Sequence, residues 1–108
     1  MSIMVLEAVC GELLACEAVA SHREFCESWL AKDASYLRVL RFHQNNASAD
    51  ALTTCASKLG YYAYHFGKSK KPKCLDWAVR FERLQGMCMA AVEQQARAKW
   101  MTPNRMGL

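Results

Sequence analysis

Proline and glycine are scarce, at two and five in 108 residues. A sandwich or barrel needs many tight turns, so this scarcity excludes a loop-rich all-β fold. No apolar run approaches the ~18–20 residues that span a bilayer, so no membrane partner is expected. No two of the six cysteines, at 10, 16, 26, 55, 74 and 88, stand at zinc-knuckle spacing. His22, His43 and His65 share no spacing with them, so neither a metal site nor a cofactor is expected. A glycine-rich phosphate loop, a serine in a nucleophile elbow and a local Cys–His pair are all lacking. The chain is therefore not expected to be an enzyme. No export signal is expected either. No Lys or Arg precedes the apolar N-terminal stretch, and Glu7, Glu12 and Glu17 interrupt it before Ala18-Val19-Ala20. The expectation is a cytoplasmic protein with reduced, buried thiols.

What is present is enough for one helical domain over residues 1–108. Apolar residues make up 53% and charged residues 22%, an ordinary globular balance that excludes wholesale disorder. The formal net charge of +4 is unevenly spread. Residues 1–30 sum to −4, residues 31–73 to +6 and residues 74–108 to +2. A basic middle segment points to an anionic partner or to a solubilising surface.

The apolar spacing is helical throughout. Ile3, Leu6, Cys10, Leu13 and Cys16 predict a first helix over 3–20. Ser21 with Glu24 reads as a capping box that opens a short helix over 22–30, burying Phe25, Cys26 and Trp29 or Leu30. Asp33 is the candidate cap of a third helix over 34–43, which would bury Leu37 and Leu40. Gln44-Asn45-Asn46 is turn chemistry. Ser48 caps a fourth helix with Ala51, Leu52, Cys55, Ala56 and Leu59 inward. Gly60 reads as its C-terminal cap, although Tyr61, Tyr62, Tyr64 and Phe66 continue the helical spacing to Gly67. Cys74, Trp77, Phe81, Leu84, Cys88, Ala91, Gln95 and Ala98 alternate at three- and four-residue steps, a heptad-like seam that predicts a long last helix over 74–101. The fold class is all-α, a five-helix domain with a central helix-turn-helix and a long C-terminal helix.

Two short helices, a tight turn, a polar loop and a capped helix make helix-turn-helix order. The stretch Ser21–Gly60, SHREFCESWLAKDASYLRVLRFHQNNASADALTTCASKLG, resembles the phage-repressor-like helix-turn-helix family of lambda-repressor type. Phe25 and Cys26 stand at its buried pair, Leu30-Ala31 at its turn, Asp33 at the recognition-helix cap, Leu37 and Leu40 at its inner face, and Ala56, Leu59 and Gly60 at its later helix. The family usually carries Gly at the turn, where this chain has Ala31. It often carries Gly after the recognition helix, where this chain has His43. Arg23-Glu24-Phe25, Trp29-Leu30 and Ser35-Tyr36 are also similar to a group of small proteobacterial proteins, a likeness that implies no activity.

The repressor resemblance implies a double-stranded DNA partner and regulation of transcription in a bacterium or phage. It places Ala34, Ser35 and Arg38 at base edges in the major groove. It puts Arg41, Gln44 and Asn45 on phosphate, with His22 and Arg23 at a helix start where amides bind anions. Lys32, where the family has a buried aliphatic residue, is a further phosphate candidate that could serve DNA or a protein partner. Lys68, Lys70, Lys71 and Lys73 would form a loop clamp. A homodimer would read two half-sites, its contact drawn from Phe81, Leu84, Met87, Cys88, Met89 and Val92 on the last helix. The plainer reading makes the arginines and lysines a solvated surface and the tyrosines core and interface. The rival function is a helical adaptor or inhibitor that binds a protein partner and has lost DNA contact.

Overall fold

The computed structural model describes residues 2–107; Met1 and Leu108, the ends of the expected domain, lie outside the described residues. Five helices follow one another: α1 (Ser2–Ala15), α2 (His22–Glu24), α3 (Tyr36–His43), α4 (Ala49–Gly67) and α5 (Pro72–Trp100). A π-helical stretch, Phe25–Trp29, continues α2. No strand occurs among the described residues. The all-α reading with a long last helix is the fold.

The backbone of the molecule is the α4–α5 hairpin. Its two helices run antiparallel, with Gly60 against the Gln85 side chain and Phe66 against Trp77 and Phe81. Pro72 stands in the first turn of α5, where its missing N–H costs nothing. Gly60 is not a cap. The helix runs on to Gly67, and a Cβ at 60 would meet the Gln85 amide nitrogen at 2.2 Å. The glycine lets that side chain lie against the α4 backbone.

α1 to α3 pack on the near half of this hairpin. Leu6, Val9 and Leu13 are fully buried on α1, each worth roughly 1.5–3 kcal/mol of transfer free energy. α1 is shorter than its expected span to residue 20. Glu17 turns left-handed at φ 64°, and the amides of Ala18 and Val19 both donate to the Leu13 carbonyl. A left-handed Glu lacks the glycine that marks such an end in sequence. Arg83 on α5 grips Glu12 of α1 through both carboxylate oxygens, and that hydrogen bond holds the Glu12 carboxyl below its usual range.

The serine caps expected at positions 21 and 48 are present, the first with one change. Ser21 Oγ accepts from the Glu24 amide at 3.1 Å, while the Glu24 carboxylate accepts from Ala20 N, one residue before the cap. Ser48 Oγ accepts from the Ala51 amide at 3.1 Å. The π-helical stretch carries an extra residue per turn, so Phe25, Cys26, Trp29 and Leu30 all face the core. An α-helical reading had left Trp29 and Leu30 as alternatives.

Candidate nucleic-acid interface

The turn between the π-helical stretch and α3 begins at Ala31, which is left-handed at φ 55°. This is the position where the resembled family carries Gly. The Lys32 amide closes the turn on the Cys26 carbonyl at 2.9 Å. Asp33 then accepts from both the amide and the hydroxyl of Ser35, bonds that lower its carboxyl pKa. Ala34 and Ser35 therefore stand in the turn, and α3 starts at Tyr36 rather than at residue 34. The competing Asx turn displaces the expected cap by two residues.

α3 is eight residues long and buries Leu37 and Leu40. Tyr36 fixes it to the next helix, its hydroxyl accepting from the Ser48 amide at 3.0 Å. The opposite face carries Arg38, Val39 and Phe42, all exposed. Phe42 is 81% exposed, the most open large apolar side chain in the molecule among the described residues. Sequence reasoning passed over it, although its four-residue step from Arg38 places both on one face.

His22, Ala34, Ser35, Arg38 and Arg41 line one cleft of about 460 Å³ between α1, α2 and α3, floored by Cys10, Cys26 and Leu37. Five of the expected DNA contacts thus come together. Their charges are less favourable. Arg41 pairs with Glu7 of α1. Arg23 pairs with Glu27 at 3.1 Å, and Lys32 with Asp50 at 2.8 Å. The Asp50 hydrogen bond raises the Lys32 pKa. Arg38 alone among the basic side chains of this half has no acidic partner among the described residues. Residues 1–50 hold seven acids and four bases, whereas residues 51–108 hold three acids and ten bases.

Three groups of expected phosphate contacts stand in less favourable surroundings. The amide of Glu24 at the start of α2 is taken by Ser21, and the Glu24 carboxylate lies beside it, so His22 and Arg23 do not open a free anion site. Gln44 is left-handed at φ 53° and caps the carboxyl end of α3, where it and Asn45 bond the carbonyls of Arg41 and Leu40. The negative end of the helix dipole disfavours phosphate there. The lysine loop is the turn of the hairpin. Lys68 stands about 27 Å of helix away from Asp50 and so lies outside the cleft.

The expected dimer contact is also largely used within the chain. Phe81, Leu84 and Cys88 are core residues, and Met87 and Val92 pack against that core. The seam faces α1 and α4 because the hairpin alone cannot cover it. Met89 remains exposed, and Val79 is open on the same helix.

The thiols form a buried group. Cys10, Cys26, Cys55 and Cys88 are in the core. Burial, then the neighbouring Cys26, push the Cys10 pKa to about 11. A hydrogen bond to Cys88, then burial, push Cys55 above its ordinary range. Cys10 and Cys55 are therefore inert packing groups. Among the described residues no three of His, Cys, Asp and Glu are grouped to hold a metal ion. No helix of the described residues is long and apolar enough to cross a membrane.

Residues 6–101 match a family of unknown function, DUF6626, and the chain belongs to that family. No curated protein and no solved structure matches it.

Proposed function

We propose that this member of DUF6626 binds double-stranded DNA through α3, as a regulator of transcription of bacterial or phage type. The observation that carries the reading is the left-handed turn at Ala31, which sets α3 outward with Arg38 unpaired beside Ser35. The exposed face suits base edges. Arg38 would bond a guanine through its two donors, and Phe42 would lie on a thymine methyl group. Ser35 would contact a base or the adjoining phosphate. Arg41 is exposed and its pairing with Glu7 lies at the surface, worth about 1 kcal/mol, so it would yield to phosphate.

Fluorescence anisotropy of a labelled duplex at ~50 and ~200 mM salt tests this reading. Micromolar binding that collapses at the higher salt is the expected result. Absence of binding at the lower salt would overturn it. On a preferred site, Arg38→Ala should cost about 1–3 kcal/mol and relax the preference at one base pair. Binding by Arg38→Ala that matches the wild type would remove this residue from the interface.

A second reading rests on a different balance of the same observations. Val39 and Phe42 form an apolar pair on a half-molecule rich in acids. A helical adaptor would use such a face on a protein partner. Phe42→Ala that abolishes partner capture, in a protein whose Arg38→Ala variant is unaffected, would favour the adaptor.

A further inference from the structure

We infer that the outer face of α4 and the hairpin turn form a second surface, which binds single-stranded nucleic acid by stacking and phosphate contact. Charge is the first observation. Residues 51–75 contain five lysines and no acid. Lys58 is held on the Ser28 carbonyl, but Lys68, Lys70, Lys71 and Lys73 have no acidic partner among the described residues, whereas Arg23, Lys32 and Arg41 in the other half are each paired. The acid-free lysines therefore keep their full attraction for an anion.

Aromatic geometry is the second observation. Tyr61 and Tyr64 are 59% and 61% exposed on the outer side of α4, although α4 is otherwise well packed against α5. Tyr61 lies 4.3 Å from the His65 ring, and Lys68 sits 4.2 Å over Tyr64. Two exposed rings on one helix face, one of them beside an ammonium group, offer a surface on which unpaired bases stack. Duplex bases already stack on one another, which favours a single strand. Thr54, Ser57 and Tyr61 line a shallow groove running up the same face, and hydroxyls of this kind bond phosphate oxygens. From Thr53 to Gly67 this face of α4 is about 21 Å long, room for several nucleotides before the lysine turn. The lysine loop then belongs with α4 and not with α3.

The inference does not depend on the duplex reading, and the two fail separately. The probe is a labelled ~12-nucleotide oligothymidylate, with an oligouridylate of equal length and anionic lipid vesicles as the alternatives. The full chain should bind the oligonucleotide at ~50 mM salt, with a log–log salt slope of about −0.7 per phosphate contacted. Tyr61→Ala with Tyr64→Ala should weaken it about tenfold or more. Lys70→Ala with Lys71→Ala should weaken it and flatten the slope. Both tyrosines are exposed, so helix content by circular dichroism should stay unchanged. Arg38→Ala should leave oligonucleotide binding as in the wild type. No binding to either oligonucleotide, binding to the vesicles alone, or wild-type affinity in the double tyrosine variant would each overturn the inference. A preference between the two oligonucleotides would assign the surface to DNA or to RNA.

Discussion

Trp29→Ala should lower the unfolding free energy by about 3–5 kcal/mol. Trp29 is 5% exposed at the end of the π-helical stretch. Its ring lies 5.8 Å from Tyr62 on α4 and 6.2 Å from Phe81 on α5. Lys58 covers it, with Nζ 4.5 Å from the ring centroid and 2.8 Å from the Ser28 carbonyl. Trp29 is therefore a central tie between the α1–α3 unit and the hairpin, beside the Glu12–Arg83 pair. Its removal leaves a cavity among aromatic rings, whose bulk prevents the site from collapsing. Domains of this size have a total stability of roughly 5–15 kcal/mol, so the loss is a large share. Chemical denaturation of wild type, Trp29→Ala and Trp29→Phe measures it. Trp29→Phe should retain part of the loss, because a smaller ring still reaches Tyr62. A cost below about 1 kcal/mol for the alanine variant would mean that the junction is held elsewhere.

The second large effect concerns alkaline pH. The Cys10 thiol titrates near 11 in the folded protein, against 9.0 without the fold. Burial raises it, because a thiolate in the apolar core loses its hydration. The unfolded chain therefore releases this proton first as pH rises. Stability from Cys10 is complete below pH 9 and is lost between pH 9 and about 11. The difference amounts to roughly 2–3 kcal/mol at the upper end. Tyrosines and lysines titrate in the same window, so the comparison is with Cys10→Ala. The wild type should show the steeper fall of denaturation midpoint over this range. Parallel curves would mean that the thiol ionises without penalty. The same burial predicts that a thiol reagent at neutral pH labels Cys16 and Cys74, which are partly open, long before the four core cysteines.

Much of this architecture is written in local spacing. Ala51, Leu52, Cys55, Ala56 and Leu59 repeat at helical steps, and all five are buried. Ser21 and Ser48 announce two helix starts because a hydroxyl before a helical run has a fixed chemical use there. The features that escaped depend on contacts distant in sequence. Gly60 has the appearance of a stop, and only Gln85, on another helix, explains why a glycine stands in mid-helix. Glu17, Ala31 and Gln44 take left-handed conformations with no residue type that advertises them. The cleft residues His22, Ser35, Arg38 and Arg41 were legible as a group through the helix-turn-helix order. The pairing of Arg41 was not, since Glu7 comes from the helix before the motif. Phe42 was missed because apolar residues are read as core, although its four-residue step from Arg38 placed it on the outer face.

The hairpin also sets the order in which the molecule assembles. α4 and α5 are joined by a turn of residues 68–71 and meet neighbours close in sequence. Closing that turn costs little chain entropy. α1 stands at the other extreme, for Glu12 must cross 71 positions to reach Arg83, and Ser2 crosses 45 to take the Ala47 amide. Contacts so distant are made late. The hairpin is therefore the expected nucleus, and α1 docks after the rate-limiting barrier. Lesions in α1 should speed unfolding and leave the refolding rate almost unchanged, whereas lesions at Leu59 or Phe81 should slow refolding.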